Sequence, residues 1–332
     1  MSRPWEGRDV LITGGLGFIG SNLASRLVEW GARVTIIDLP EGRCVGHLGN
    51  LAHCADQVRL IRADLAEAGD WRESVGQAEF IFHLAAQVSH QAGQSAPLAD
   101  LSANCATLLN ILEAARQSSG NPKIVFASTR QVYGRAESLP VRETHPLRPT
   151  DINGVHKVAA EEYLRVYRES YGLRSTIVRL TNTYGPRMDL RNPDRGVLNV
   201  FIAKALRGQP IDVFGDGQQC RDMLHVDDVT DALTCAATID EPGPFHLGER
   251  APTSLRDFLR ELNVILPFQV RYLPFPENLR MIDIGDSHCD YSTFAAATGW
   301  APSVSLPEGL PSTIAWARSH AFAFDRAEPA TR

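Results

Sequence analysis

Three glycines that follow a short apolar run have the spacing of a site for a pyrophosphate. Residues 9–13 read as a buried strand, and Gly14, Gly17 and Gly20 lead from it into an amphipathic helical pattern. Gly14 permits the tight turn, Gly17 lets the backbone approach a phosphate, and Gly20 permits close packing of helix on strand. The N-terminus of that helix supplies free N–H groups and the positive end of its dipole. The spacing therefore predicts a dinucleotide site.

A carboxylate lies where the ribose of such a dinucleotide would be bound. Asp38 ends the next apolar strand, residues 34–38. Its side chain can accept hydrogen bonds from both adenosine ribose hydroxyls, whereas a 2′-phosphate there would meet like charge. We therefore expect NAD rather than NADP. The alternative, a strand–turn–helix without a ligand, is disfavoured because the flanking strands and the acid are both in place.

Alternating strands and helices must position these residues. Further strands are expected at 58–62, 80–84, 123–127 and 175–180, and long helical patterns at 97–117 and 152–171. Near-continuous apolar strands joined by helical crossovers predict a parallel sheet covered on both faces. The fold class is then α/β, with a doubly wound sheet that binds ligands at the carboxyl ends of its strands.

Bulk composition excludes several classes of protein. The chain has 332 residues, of which 44% are hydrophobic and 22% charged, and its net charge is −6. No apolar run is long enough to span a membrane, and an acidic chain does not favour nucleic acid, so we expect neither partner. Six scattered cysteines without a Cys-x-x-Cys pair predict reduced thiols and no metal site. A cytoplasmic location is the expectation.

Ordered motifs follow along residues 8–318. They are the glycine loop 13–21 and the segments 83–87, 127–134, 179–187, 215–222, 225–228 and 280–283. Together they resemble the extended short-chain dehydrogenase/reductase family, in its branch of nucleotide-sugar epimerases and dehydratases. The resemblance implies a Rossmann domain of residues 1–180 and 223–250, a smaller α/β substrate-binding lobe of 181–222 and 251–320, and a tail of 321–332. It also implies a homodimer joined through the helices at 97–117 and 152–171.

The same resemblance assigns binding residues. Those implied to contact NAD are Gly14, Gly17, Phe18, Ile19, Asp38, Asp64, Leu65, Leu84, Ala85, Ala86, Asn104 and Lys157. Those implied to contact a nucleotide-diphosphate sugar are Gln87, Asn182, Arg187, Arg221 and Arg280. Because guanidinium groups bind phosphate oxygens in pairs, Arg221 and Arg280 are expected to clamp the diphosphate.

The catalytic motif departs from the family pattern. The family uses a tyrosine four residues before a ribose-binding lysine, but here Asn153 precedes Lys157, and none of the seven tyrosines has a lysine four residues later. An amide cannot accept a proton at neutral pH. His156, three residues from Asn153, and the Thr129 hydroxyl acting through water are the candidate replacements. His156 has the alternative interpretation of a packed or surface histidine. The catalytic set is therefore predicted as Thr129, Asn153, His156 and Lys157.

The type of reaction is narrowed by the residues after Thr129. Dehydratases of the family carry an Asp-Glu pair where this chain has Arg130 and Gln131, and decarboxylating relatives carry a glutamate at the second of these positions. Neither residue here can shuttle a proton as required. We expect an epimerase that oxidises C4 transiently. The alternatives are a sugar dehydrogenase or ketone reductase, and an NAD-binding protein with little catalysis.

Overall fold

A computed structural model describes residues 4–40, 46–191, 196–277 and 284–320. The strands are β1 Asp9–Thr13, β2 Arg33–Asp38, β3 Val58–Arg62, β4 Phe80–His83, β5 Lys123–Thr129, β6 Ser175–Leu180, β7 Asn182–Tyr184, β8 Ile211–Phe214, β9 Cys220–Arg221, β10 Met223–His225, β11 Phe245–His246, β12 Thr253–Ser254 and β13 Val270–Leu273. The helices are α1 Phe18–Glu29, α2 Trp71–Gln77, α3 His90–Ser95, α4 Pro97–Leu101, α5 Thr107–Gln117, α6 Ile152–Tyr171, α7 Val197–Leu206, α8 Val226–Ala237, α9 Leu255–Ile265, α10 Ser292–Thr298 and α11 Leu306–Ser319.

Seven strands form one parallel sheet in the order β11-β6-β5-β4-β1-β2-β3. β1 pairs with both β2 and β4, so the strand order reverses at the β1/β4 boundary. Ligands of doubly wound sheets bind outside the carboxyl ends of the strands at this point. The predicted fold class and the predicted strands are confirmed, with end residues that differ by no more than two positions.

Alternation along the strands builds a core on each face of the sheet. In β1, Val10 and Ile12 belong to a buried cluster that includes Val229 of α8, whereas Leu11 belongs to a cluster on the other face with Leu108 of α5. Successive side chains of a strand point to opposite faces, which explains this separation. Both faces of the sheet are therefore covered, and the strand ends are where a ligand is expected to bind.

The remaining strands form three two-stranded sheets, β7 with β10, β9 with β12 and β8 with β13. A third buried cluster, which includes Tyr184, Phe201, Phe258 and Leu310, packs around them. β10 belongs to one of these small sheets although its residues fall in the range predicted for the Rossmann domain. The division of the chain into two lobes at the predicted boundaries stays a prediction, and the predicted tail lies outside the described residues.

One long helix was predicted at 97–117, and the structure interrupts it. α4 and α5 are joined by a π-helical turn, Ser102–Ala106. Single π turns inside helices are frequent at functional sites. This turn carries Asn104, which the sequence analysis places at the cofactor.

Candidate active site

The glycine loop joins β1 to α1 with almost no free space around it. Gly14 has φ +71°, and a β-carbon there would lie 2.8 Å from the backbone nitrogen of Ala85. A β-carbon on Gly20 would overlap the Gly14 carbonyl oxygen, because α1 packs directly on the loop. Gly17 is the N-cap of α1, and a β-carbon there would meet only the Gly14 oxygen at 3.2 Å. The free side of Gly17 is the side on which a phosphate fits.

Two carboxylates are held at the ends of neighbouring strands. Asp38 Oδ2 accepts a hydrogen bond from Leu16 N at 2.9 Å, which fixes the carboxylate against the glycine loop. At the end of the next strand, Asp64 Oδ1 accepts from Ala66 N at 2.9 Å, and Asn110 Nδ2 donates to Leu65 O at 2.8 Å. Phe18 and Ile19 open the first turn of α1. This arrangement of glycine backbone and carboxylates fits a dinucleotide.

A neutral histidine lies between β1 and β4. The Thr13 hydroxyl is 2.9 Å from His83 Nδ1 and accepts a hydrogen bond from Ala85 N at 3.2 Å. Burial, with a smaller contribution from the Lys157 charge, lowers the pKa of His83 to about 3. The ring is therefore uncharged, and its contact with the Thr13 hydroxyl joins the ends of β1 and β4. This pair fixes the backbone at the start of the segment Leu84, Ala85 and Ala86.

Lys157 is buried on α6 beside the carboxyl end of β5. Its Nζ donates to Ala127 O at 3.0 Å and lies 4.7 Å from the centroid of the Phe126 ring. Burial lowers the pKa of Lys157 to about 8, although the negative charge of Glu161, one turn further along α6, opposes the shift. Thr129 ends the same strand. The lysine predicted to bind the nicotinamide ribose and the threonine predicted to orient the substrate therefore lie at the same edge of the sheet.

A buried ion pair between Glu161 and Arg179 packs against β5 next to Thr129. Glu161 accepts hydrogen bonds from the Ser128 hydroxyl and from Arg179 Nε, the latter at 2.9 Å. Arg179 also contacts the hydroxyl of Tyr133, which is 2% exposed. Burial raises the pKa of Tyr133 far above its usual value. Tyr133 is therefore a structural group and cannot replace the missing catalytic tyrosine.

Asn153 is held by groups of two other elements. Its Nδ2 donates to Gln87 O at 2.7 Å and to Asp100 Oδ2 at 3.3 Å. Asp100 Oδ1 lies 2.7 Å from His156 Nδ1 and accepts from Asn104 Nδ2 at 3.0 Å. The predicted residues Asn104, Asn153 and His156 thus contact one carboxylate, and the backbone oxygen of Gln87 accepts hydrogen bonds from the two asparagines. Sequence reasoning missed Asp100, although its spacing of four from Asn104 on a predicted helix was a usable signal.

The predicted substrate residues occupy different surroundings. Asn182 Nδ2 donates to Asp222 O at 3.1 Å, and its Oδ1 lies 3.5 Å from Arg130 Nη2. Arg221 is 8% exposed, and its Nη1 donates to Cys220 O at 2.8 Å. Arg280 lies outside the described residues.

Arg187 is tied to the cofactor helix. Its Nε donates to Asn50 O at 2.9 Å and its Nη1 to Asn22 Oδ1, on α1, at 2.6 Å. Burial lowers its pKa. These contacts give Arg187 the role of joining β7 to α1, and its predicted contact with substrate stays a prediction.

Two general features concern the described part of the chain only. Within it, no group of three or more His, Cys, Asp or Glu side chains is arranged to hold a metal ion. None of its helices combines the length and the apolar character needed to cross a membrane.

Comparisons with known proteins agree with this geometry. The profile of the NAD dependent epimerase/dehydratase family matches residues 10–248. A UDP-glucose 4-epimerase of Mycolicibacterium smegmatis is 33% identical over 316 residues, which cover 93% of this chain and 98% of the relative. A UDP-N-acetylglucosamine 4-epimerase from Methanobrevibacter ruminantium, solved with UDP-N-acetylmuramic acid, superposes with a TM-score of 0.87 at 28% identity and covers 95% of this chain and 99% of its own.

A further solved relative carries the cofactor. The UDP-glucose 4-epimerase of Thermus thermophilus, in complex with NAD, superposes with a TM-score of 0.80 at 31% identity, over 93% of this chain and 98% of its own. In this chain, the glycine loop and the fixed Asp38 carboxylate are the features that fit such a cofactor. The protein therefore belongs to the NAD-dependent epimerase/dehydratase family and is an NAD-dependent enzyme of the extended short-chain dehydrogenase/reductase type.

Proposed function

We propose that this protein is a nucleotide-sugar 4-epimerase that oxidises C4 of its substrate transiently and uses an acid–base group other than tyrosine. The observation that carries the proposal is the buried Lys157 fixed beside the strand that ends in Thr129. Lys157 holds its charge at the carboxyl end of β5, the side of a doubly wound sheet on which ligands bind, although burial of a charge is unfavourable. The retained lysine supports a working nicotinamide site.

Each retained residue has a definite task in this reaction. NAD, when bound, would supply the hydride acceptor and donor at C4. Gly14, Gly17 and Asp38 would hold its pyrophosphate and adenosine ribose, and Lys157 would donate to its nicotinamide ribose. The Thr129 hydroxyl would orient the C4 hydroxyl by a hydrogen bond. His156, or water held by Thr129, would accept the hydroxyl proton.

Dehydration is a poorer fit to the same geometry. The turn after Thr129 carries Arg130 and Gln131, and Arg130 contacts Asn182 Oδ1 rather than presenting a carboxyl. Elimination of water needs an acid and a base beside the sugar. Once dehydration is disfavoured, the remaining reactions are redox reactions without elimination. These are epimerisation and the net oxidation or reduction of a sugar.

We propose a nucleoside-diphosphate sugar as substrate. Asn182 begins β7, directly after the carboxyl end of β6, and Arg221 ends β9, next to Asp222, whose backbone oxygen accepts from Asn182 Nδ2. A guanidinium can hold two phosphate oxygens at once, and an amide can bind phosphate or sugar. The names of the relatives, UDP-glucose and UDP-N-acetylglucosamine 4-epimerases, support a uridine nucleotide.

A homodimer in the cytoplasm is part of the proposal. Five apolar side chains on α4 and α6 are exposed: Leu98, Leu101, Val155, Val166 and Tyr171. Leu98 is 81% exposed. Exposed apolar side chains on neighbouring helices are available for contact with another protein. Because they lie on the two helices through which the family dimerises, a second copy of this chain is the proposed partner.

The test is an assay of the purified protein with NAD and a panel that includes UDP-glucose and UDP-N-acetylglucosamine. The nicotinamide absorbance and the sugar products are followed together. Formation of the 4-epimer without net NADH supports the proposal. NADH formed in proportion to an oxidised product would replace the epimerase by a dehydrogenase. Tight NAD binding without any product from the panel would contradict the proposed activity.

A further inference from the structure

Asp100 is a buried carboxylate that receives three side-chain hydrogen bonds. It is 1% exposed. Its partners are His156 Nδ1 at 2.7 Å, Asn104 Nδ2 at 3.0 Å and Asn153 Nδ2 at 3.3 Å. Burying a carboxylate is costly unless it is paired and hydrogen-bonded, so such a site is maintained only by a complete set of donors.

The hydrogen bond to Asp100 fixes which nitrogen of His156 carries hydrogen. An ionised carboxylate only accepts hydrogen bonds, so the 2.7 Å contact requires a hydrogen on His156 Nδ1. In the neutral ring the other nitrogen, Nε2, is then the acceptor. In the Ser-His-Asp triads of hydrolases, a carboxylate orients a histidine base in the same way.

Asp100 also links His156 to Asn153, the residue that stands at the tyrosine position. Asn153 and His156 lie within one turn of α6, and each binds one oxygen of the same carboxylate. Asn153 is only 4% exposed, and its amide nitrogen is shared between Asp100 and Gln87 O. The amide is therefore engaged by the protein, and the imidazole is the neighbouring side chain with one ring nitrogen that donates and one that can accept a proton.

We propose that Asp100 is the positioning residue for a catalytic His156. The inference rests on the proposed function. The C4 O–H bond breaks and a new N–H bond forms at His156 Nε2, directly or through one water, as the C4 hydride leaves. The proton returns from Nε2 to the oxygen when the hydride is restored to the other face of C4.

Two other titratable groups face this unit. Lys157, the next residue of α6, and Cys105, on the π turn, both interact electrostatically with Asp100. Burial of the Cys105 thiol raises its pKa, so it stays uncharged at neutral pH. Lys157 is the charged neighbour of Asp100 and His156, and its own loss of a proton contributes to the pH profile of kcat.

The test compares Asp100→Asn and His156→Gln with the wild-type protein, using UDP-glucose and UDP-N-acetylglucosamine as probes. We expect Asp100→Asn to lower kcat by about 10²-fold to 10⁴-fold, the usual contribution of an acid–base group, with KM changed less than about 3-fold. The acidic limb of the pH profile of kcat should move to lower pH in Asp100→Asn, which loses the negative charge beside the imidazole, and should be lost in His156→Gln. His156→Gln produces a similar loss, and the double variant is no slower than either single one.

Asp228→Asn is the matched control. Asp228 is also 1% exposed, and its carboxylate accepts hydrogen bonds from Ser303 N and Oγ and from Val304 N. It measures the structural cost of losing a buried carboxylate, and we expect it to keep the wild-type pH profile. An Asp100→Asn protein with the wild-type kcat and pH profile, or additive losses in the double variant, would overturn the inference.

A spectroscopic measurement tests the positioning without turnover. NMR of ¹⁵N-histidine in the wild-type holoenzyme is expected to show His156 with hydrogen on Nδ1, and in Asp100→Asn a mixture of both tautomers. Hydrogen on Nε2 in the wild type would refute the role of Asp100, even if Asp100→Asn failed to fold. Absence of epimerisation by the wild type would instead refute the proposed function and the catalytic role of His156, and leave the tautomer to decide the positioning.

Discussion

The ammonium of Lys157 donates to the carbonyl oxygen of Ala127 at 3.0 Å, and this contact links α6 to β5 two residues before Thr129. The lysine is 6% exposed. Its position is therefore set by the protein before any cofactor arrives, which reduces the cost of ordering a flexible side chain on binding.

Replacement of Lys157 should affect NAD affinity and the free energy of unfolding to different extents. We expect Lys157→Met to weaken NAD binding by about 10-fold to 100-fold, since hydrogen bonds of charged groups contribute about 1.5–3 kcal/mol. The free energy of unfolding without NAD should fall by no more than about 1 kcal/mol, because a buried ammonium is replaced by an apolar chain of similar length. Fluorescence titration with NAD and urea unfolding check the two quantities. Equal NAD affinity in both proteins would remove Lys157 from the cofactor site.

The pH dependence of NAD binding follows from the lowered pKa of Lys157. Since its pKa is about 8, the protein loses the ammonium charge as the pH rises through about 8. NAD affinity should therefore fall above that pH. The unfolded chain keeps its lysine charged up to about pH 10.4, so it binds more protons in this window, and the group makes the protein without NAD more stable as pH rises.

Lys123 provides the control for this pH dependence. Burial also lowers its pKa to about 8, but it lies at the amino end of β5 and its Nζ donates to Ile239 O at 2.6 Å. Lys123→Met should keep the wild-type decline in NAD affinity, whereas Lys157→Met should show none. A decline retained in Lys157→Met would assign the effect to another group.

Much of this arrangement was predictable because it is encoded locally. The glycine spacing, Asp38 and the apolar strands are adjacent in sequence and define their own geometry. Asp100 and His156 are 56 positions apart and meet only because α4 packs against α6. The motif of Arg187 predicts a contact with substrate, whereas its hydrogen bonds to Asn22 and Asn50 depend on how α1 lies beside it and could not be predicted. Such long-range contacts have no periodic pattern in the sequence.

Substitution of two glycines of the loop is expected to affect different properties, the stability of the fold at Gly20 and the affinity for NAD at Gly17. Gly20→Ala should destabilise the fold by about 1–3 kcal/mol or more, since its β-carbon overlaps the Gly14 carbonyl. Gly17→Ala should fold nearly normally, because its β-carbon meets one atom at 3.2 Å, but should lose most NAD affinity. Thermal unfolding and NAD titration of both variants distinguish the effects. NAD binding by Gly17→Ala as tight as wild type would place the pyrophosphate elsewhere.

Asp38 is expected to set the preference for NAD over NADP. Asp38→Ala should weaken NAD binding by about 10-fold and reduce its ratio to NADP binding, because the ribose acceptor and the like charge are lost together. Asp56→Ala is the control, since Asp56 is an exposed acid on the segment before β3. The affinities of both cofactors are measured for the three proteins. An unchanged ratio in Asp38→Ala would show that another group excludes the 2′-phosphate.

Asn153→Asp tests whether the site tolerates a second carboxylate beside Asp100. The new oxygen replaces a nitrogen 3.3 Å from Asp100 Oδ2 and loses the donor to Gln87 O. We expect the free energy of unfolding to fall by about 1–3 kcal/mol at pH 7, the cost of leaving buried polar groups unpaired. In the folded protein the two adjacent carboxyl groups would bind a proton more readily than the same groups do when they are separated in the unfolded chain. The loss in free energy of unfolding should therefore become smaller as the pH is lowered toward about 5. Asn153→Ala, which removes the donor without adding charge, should show a penalty that changes less with pH than that of Asn153→Asp. Urea unfolding of both variants at several pH values gives the comparison, and parallel curves would mean that the Asp100 carboxylate is not adjacent to residue 153.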